Sequence, residues 1–308
     1  MSKEKPHDVI IIGTGPAGMT AAVYCARKKL ETLIIGQQLG GQAALSGAME
    51  NYLGFHLITG AQLIEKFHEH LEDFKEVTHR HGVEVTDIKK HKSGFRVTTK
   101  DGQHHFGKTV IVASGKIPRK LNVPGEDKYK NLGVTYCATC DAPLFPKKDV
   151  AVIGGGNSAL DATLQLIKIA KKIYLINITE ALGGDAVMRE KVEKSKKVEI
   201  LNNTKTLEIL GDKFVTGIKV ETEGQEKTLP VSGVFIEIGS IPSVGFIKDL
   251  VELNERNEIV IDRRNMTSVP GIFAAGDVTD VLEKQVIVAA GEGAKAAIHA
   301  SEYLEKQK

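Results

Sequence analysis

The stretch Val9-Ile10-Ile11-Ile12-Gly13-Thr14-Gly15-Pro16-Ala17-Gly18 decides how the chain is read. Four β-branched apolar residues predict a short buried strand, and a GxGxxG follows at once. A helical pattern, Met19 to Lys29, and a second strand, Thr32 to Ile35, come next. Glycines at these spacings allow a tight turn and let backbone approach a pyrophosphate, whose charge the helix N-terminus meets. Cys25 falls within that helix beside Ala21 and Ala22 and reads as a small packed residue. No acid closes the second strand to bind ribose hydroxyls; Ile35 is followed by Gly36 and then by Gly40-Gly41-Gln42.

The same unit recurs. Asp149 to Ile153 reads as a strand, Gly154-Gly155-Gly156-Asn157-Ser158-Ala159 is a GxGxxA, and a helix is expected from Ala159 to Lys171. The next strand, Ile173 to Ile176, ends at Asn177. This duplication predicts an α/β chain with two dinucleotide-binding units, holding either two nucleotides or one nucleotide and a vestige.

Between the two glycine loops lies Cys137-Ala138-Thr139-Cys140-Asp141. Two thiols at this spacing can close to a disulfide and reopen, which is redox chemistry. The alternatives are half of a zinc site or two packed thiols. Structural zinc takes about four protein ligands, and only Cys25 remains, far away in sequence. No metal site is expected.

A length of 308 residues allows two domains. Forty-one Lys and Arg against 39 Asp and Glu leave a net charge of +2. With the two signs interleaved, neither a nucleic acid nor an anionic membrane is an expected partner. Met1 to His7 is polar, and Val9–Ile12 is too short for a signal-peptide core. No apolar run approaches the roughly 18 residues of a membrane span. Three cysteines without a secretion signal suit a reducing, cytoplasmic setting.

Ile58 to Phe74 carries apolar residues at 63, 64, 67 and 71 and predicts an amphipathic helix. Its His68 and His70, with His79 and His81, lie among charges and read as surface residues. Val83–Val85, Phe95–Thr99 and Gln103–Phe106 alternate as short strands, with Asp101-Gly102 as a turn, and Lys108–Val112 is a further buried strand. Strands are also expected within Val198–Val220 and Leu229–Ile238. Pro118 to Pro124 and Gly239 to Gly245 read as domain crossings. Near the end, Gly271-Ile272-Phe273-Ala274-Ala275-Gly276-Asp277 delivers an acid at a strand's C-terminal end, where ligands sit in parallel sheets. A Gly/Ala-rich helix then runs through Tyr303.

These motifs together resemble the low-molecular-weight thioredoxin reductase family. The likeness covers nearly the whole chain: GTGPAG from Gly13, GGQ from Gly40, NYLGF from Asn51, ASG from Ala113, YCATCDAP from Tyr136, GGGNSALDA from Gly154 and GIFAAGDV from Gly271. The resemblance implies two Rossmann-like three-layer dinucleotide-binding domains, the second inserted in the first. Residues 1–117 and 246–308 would form the FAD domain, and 118–245 the pyridine-nucleotide domain carrying the CxxC. It implies FAD contacts at Gly13, Gly15, Pro16, Ala17, Gly18, Gly41, Gln42, Asn51, Ala113, Gly115, Gly276, Asp277, Lys284 and Gln285. NAD(P)H would lie on Gly154, Gly156, Asn157, Ser158 and Ala159. Cys140 would face the flavin, Cys137 would attack the substrate disulfide, and Asp141 would move the proton. The implied partner is a thioredoxin-like protein disulfide, and the implied assembly a homodimer.

One departure concerns the electron donor. Relatives that use NADPH carry a basic cluster just after the second strand of the inserted domain; here Asn177 to Asp185 contains no Arg and no His, and Arg189 comes later. A 2′-phosphate would lack its charge-assisted partner. The intact glycine loop favours a nicotinamide donor, with ferredoxin as the alternative. The C-terminal half is also similar to the flavoprotein component of alkyl hydroperoxide reductase, although no N-terminal thioredoxin-like domain is expected in this length. Two further classes share the fold. One is a ferredoxin–NAD(P)+ reductase, which needs no CxxC; the other is a non-catalytic flavin and dithiol switch.

Overall fold

A computed structural model describes residues 6–46, 48–92 and 94–307; of the polar N-terminus, residues 1–5 lie outside it. The chain divides into two compact units, Met1–Ile117 with Ile241–Lys308, and Pro118–Ser240.

In the discontinuous unit the strand His7–Ile12 lies between Thr32–Gly36 and His104–Val112, parallel to both. Val77–His81 extends this sheet beyond Thr32–Gly36, and Ile272–Ala274 pairs with residues 110–112. Gly94–Thr99 and Val85–His91 add an antiparallel extension through the other half of His104–Val112. Both faces of a parallel sheet must be covered, which explains strands that are apolar at every position. The side chains divide by parity. Val9, Ile11, Ile34 and Ile111 pack on the helices Pro16–Arg27 and Val286–Glu305, while Ile10, Ile12, Leu33 and Ile35 pack on Val97, Val244, Ile247 and Ile259.

The inserted unit repeats this plan. Its five parallel strands run in the order Val134–Thr135, Gly233–Ile236, Asp149–Ile153, Lys172–Ile176, Val198–Leu201. Val150 and Val152 face the helix Asn157–Ile167, whereas Ala151 and Ile153 face the antiparallel sheet Thr204–Gly211, Val215–Thr222 and Gln225–Pro230. Each unit is therefore three layers deep around a central sheet, the Rossmann-like α/β class expected from the duplicated motif. Among the described residues no helix is long and apolar enough to cross a membrane.

Some boundaries differ from the sequence reading. The first helix begins at Pro16, because proline suits the opening turn where its missing N–H would have no partner anyway. The second begins at Asn157 and ends at Ile167. The expected strands Gln103–Phe106 and Lys108–Val112 merge into one nine-residue strand, His104–Val112, that leaves Gln103 outside. Gly107 does not interrupt it but lets it pass Ile10 closely; a Cβ there would lie 2.7 Å from the Ile10 side chain. The polar strand Val77–His81 and the helix Ala186–Glu193, capped by Asp185, carried no apolar pattern to announce them.

Candidate functional site

The first glycine loop separates what the chain needs from what a ligand needs. A Cβ on Gly13 would lie 2.1 Å from the Ala113 carbonyl oxygen, and one on Gly18 1.9 Å from that of Gly13. These two glycines are demanded by close backbone packing. Gly15 is not. Its φ is −81°, and a Cβ would meet only the Gly40 oxygen at 3.8 Å. It caps the helix Pro16–Arg27 without a side-chain hydrogen bond, and no acid stands in the first turn. A small residue with room above it, at a helix start whose N–H groups have no side-chain cap, fits a phosphate the chain does not supply. The loop thus fits the pyrophosphate of FAD.

Other residues of the motif set meet around this loop. Gln42 Nε2 donates to the Lys116 carbonyl at 2.6 Å, and Asn51 Nδ2 to Gln285 Oε1 at 3.1 Å. Gln285 caps the long C-terminal helix. Gly276, at φ +77°, brings backbone past Ala17 and Ala289. Asp277 follows in a short 3-10 turn; burial raises its pKa, against Lys284 and Lys116. Lys284 Nζ donates to the Thr279 and Asp277 carbonyls.

Sequence reading missed the carboxylate that holds both lysines. Glu258 is buried, and its Oε1 lies 3.1 Å from Lys116 Nζ and 3.3 Å from Lys284 Nζ. Burial alone would raise its pKa, yet hydrogen bonds from Asn254, Lys116 and Lys284 outweigh that and hold it at about 2. No local pattern marks Glu258; its partners come from distant parts of the chain.

In the inserted unit Cys137 and Cys140 form a disulfide, with Cα atoms 5.4 Å apart. The strand Val134–Thr135 delivers the pair, and Thr135 Oγ1 accepts the Cys137 N–H at 3.1 Å. Cys137 caps the single turn Ala138–Asp141, its Sγ accepting the Cys140 N–H at 3.1 Å. That donation favours negative charge on Cys137 Sγ once the bond is open. Asp141 ends the turn, its own N–H donating to the Cys137 carbonyl at 3.2 Å. Cys140 is exposed and Cys137 half-buried. The third cysteine, Cys25, is fully buried, and burial pushes its thiol up to about 12, which makes it inert.

The second glycine loop has the shape of the first. A Cβ on Gly154 would lie 2.2 Å from the Glu237 carbonyl oxygen, whereas one on Gly156 would meet nothing within 4 Å. Gly156 caps Asn157–Ile167 without a side-chain bond; Asn157 and Ser158 are exposed and Ala159 is buried. Asn157 Oδ1 accepts the Asp185 N–H at 2.7 Å. Asn177, at the end of the second strand, is buried and already committed. Its amide donates to the Thr179 carbonyl and Asn202 Oδ1, and its oxygen accepts from the Thr179 hydroxyl at 2.9 Å. Arg189 reaches back to the Leu182 carbonyl at 3.1 Å.

The histidines read as surface residues are less scattered than expected. The rings of His68, His79 and His81 lie 5.5–6.1 Å apart beside Glu72, and burial lowers the pKa of His79 and His81. Among the described residues, no three His, Cys, Asp or Glu side chains are gathered to hold a metal ion.

Comparison with known proteins agrees with this geometry. The pyridine nucleotide-disulphide oxidoreductase family model matches residues 7–293. The F component of Staphylococcus aureus alkyl hydroperoxide reductase is 43% identical over 303 residues, which are 98% of this chain. The chain spans about 60% of the length of that curated relative. Lactococcus lactis thioredoxin reductase, in its FR conformation, superposes with a TM-score of 0.89 at 34% identity, over 97% of this chain and 99% of that one. The thioredoxin reductase of T. acidophilum does so at 0.87 and 39%, over 99% and 100%. The chain belongs to the pyridine nucleotide-disulphide oxidoreductase family, and within it to the FAD-dependent oxidoreductases built as low-molecular-weight thioredoxin reductases are.

Proposed function

We propose that the chain is a disulfide reductase that carries two electrons from a reduced nicotinamide, by way of FAD, to the Cys137–Cys140 disulfide and on to a thioredoxin-like protein. The observation that carries this reading is the disulfide-bonded turn, with the Cys140 N–H on Cys137 Sγ, in the unit that also holds the second dinucleotide loop. In this reading the discontinuous unit holds FAD. Gly13, Gly15 and Gly18 shape its pyrophosphate site with Pro16 and Ala17 at the helix start. Gly41, Gln42, Asn51, Ala113, Gly115, Gly276, Asp277, Lys284 and Gln285 complete the cradle. Gly154, Gly156, Asn157, Ser158 and Ala159 receive the nicotinamide dinucleotide in the inserted unit. Bound FAD supplies an acceptor that takes two electrons and gives them to a disulfide.

The chain's own residues do the rest. Two electrons break the Cys137–Cys140 bond, leaving one sulfur as thiolate and the other as thiol once a proton arrives. Asp141 holds and moves that proton. The Cys140 N–H steadies the charge on Cys137 Sγ, which attacks one sulfur of the partner disulfide and releases the other as thiolate. Cys140 then loses its proton and attacks Cys137 Sγ. The second partner thiolate leaves, and the Cys137–Cys140 bond is restored. Dithiol and second nucleotide loop share one unit and serve one cofactor, so a rotation about 116–119 and 242–246 accompanies turnover. The assembly is a homodimer in a reducing, cytoplasmic compartment. The 43% identity to the alkyl hydroperoxide reductase component makes a peroxidase-linked disulfide carrier a second candidate for the thioredoxin-like partner.

One feature weighs against NADPH and keeps NADH and a ferredoxin donor in play: from Asn177 to Asp185 there is no arginine, and the Asn177 amide is already engaged. Anaerobic titration of the FAD-loaded protein with NADH, NADPH and reduced ferredoxin distinguishes the donors. Rapid bleaching by a nicotinamide is expected; bleaching by ferredoxin alone would overturn the nicotinamide assignment.

A further inference from the structure

One buried carboxylate ties the first residues of the inserted unit to the residue in front of the dithiol. Glu126 is 2% exposed. Its Oε1 accepts the Leu121 N–H at 2.9 Å and the Tyr136 hydroxyl at 2.5 Å, and its Oε2 accepts the Asn122 N–H at 2.5 Å. Leu121 and Asn122 come just after Pro118, where the inserted unit begins, and Tyr136 immediately precedes Cys137. All three partners donate, so the group serves as an acceptor in every bond. Burial and the adjacent Glu126 raise the Tyr136 pKa, which keeps its hydroxyl a donor. Leu121, Val123 and Tyr136 also pack on one core, with Tyr129, Val134 and Ile209.

The dithiol needs such support. The strand that delivers it is only two residues long, and its last ladder pair is Thr135 with Phe235. Cys137 follows in extended conformation, at φ −143°, and caps a turn of four residues. A single helical turn is marginal on its own. While the disulfide is closed, the bond itself fixes Cys137 against Cys140. Once it opens, Cys137 depends on its neighbours along the chain. One is the Thr135 hydroxyl on its N–H, and the other is Tyr136, held on Glu126. Within the turn, Thr139 Oγ1 donates to Gln165 Oε1 at 3.2 Å, and Gln165 Nε2 donates to Asp161 at 2.7 Å.

We propose that Glu126 and Tyr136 are positioning residues of the dithiol, whose hydroxyl–carboxylate bond keeps Cys137 Sγ within reach of Cys140 when the disulfide is open. Reclosure joins two groups already held near each other, so its equilibrium constant measures how well they are held. Loss of the anchor frees mainly the open form, because the closed form keeps its covalent restraint. Freedom gained by one form alone favours that form. Without the anchor the disulfide is therefore easier to reduce. The inference rests on the proposed function only in taking Cys137–Cys140 as the pair that opens and recloses.

The test equilibrates the FAD-loaded protein anaerobically in graded mixtures of reduced and oxidised glutathione. Two protein thiols and one oxidised glutathione stand against one protein disulfide and two reduced glutathiones. After an acid quench, free Cys137 and Cys140 are alkylated and counted by mass. Tyr136→Phe removes the hydroxyl and leaves the ring on its core. Its equilibrium constant for closing should fall about three- to tenfold, or about 14 to 30 mV for two electrons. Glu126→Gln should shift in the same direction, and the combined variant by less than the two single shifts together, since both act through one bond. An unchanged constant in Tyr136→Phe, or one shifted toward the disulfide, would overturn the proposal, and so would strict additivity. A fall in urea stability of the oxidised protein does not rescue it, because purely structural support weakens both forms alike. The comparison uses no electron donor. A failure of FAD to open the disulfide would sink the proposed function, while the glutathione constants judge Glu126 and Tyr136 separately.

Discussion

Replacing Gly15 by alanine separates ligand recognition from folding. Gly15 has a φ of −81° and a ψ of −175°, ordinary extended backbone for any residue, and its Cβ would meet only one oxygen, at 3.8 Å. Alanine there should leave the stability of the FAD-free protein within about 1 kcal/mol of wild type. The lower entropy of the unfolded chain is offset by a poorer helix cap. The methyl group does occupy the space where a pyrophosphate must approach backbone N–H groups. Loss of one charge-assisted hydrogen bond costs about 1.5–3 kcal/mol, or roughly ten- to a hundredfold in Kd. FAD titration of the apoprotein by flavin fluorescence, together with urea unfolding of the same sample, measures both. Gly18→Ala is the contrasting variant. Its Cβ would lie 1.9 Å from the Gly13 oxygen, so apoprotein stability should fall by about 1–3 kcal/mol or more. If Gly15→Ala binds FAD as tightly as wild type, the glycine is not there for the phosphate.

Two further predictions concern charge. Glu258 holds its folded-state pKa at about 2, against an ordinary 4.5. Its contribution, about 3 kcal/mol in order of magnitude, is present above pH 4.5 and lost as pH falls through about 2. The stability gap between wild type and Glu258→Gln, read by denaturant unfolding, should therefore shrink steadily over that window; a pH-independent gap would contradict the ion-pair account. Ile178 is 71% exposed just beyond the second strand of the inserted unit. Ile178→Arg should raise the NADPH-to-NADH ratio of kcat/KM by roughly tenfold, about 1.4 kcal/mol, and an unchanged ratio would mean that the 2′-position lies elsewhere.

The two glycine loops and the CxxC were legible because each concentrates its chemistry within about six residues, and each glycine loop also follows an unbroken apolar strand. Val9–Ile12 and Val150–Ile153 could be read as buried strands for the same reason, since both sides of a covered parallel sheet require apolar residues. Val77–His81 escaped notice as an edge strand made of Thr78, His79, Arg80 and His81, which pairs on one side only. Glu258 left no local signal, for its role depends on Lys116 and Lys284 converging through the fold. Single-residue chemistry of this kind leaves no periodic trace along a chain.

The central claim is that electrons accepted by FAD open the Cys137–Cys140 bond. The direct measurement is to reduce the FAD-loaded protein anaerobically with its donor, trap free thiols with iodoacetamide, and count alkylated Cys137 and Cys140. Both cysteines should be trapped when donor and FAD are present, and neither when FAD is removed. A protein whose flavin bleaches fully while the disulfide stays closed would contradict the account.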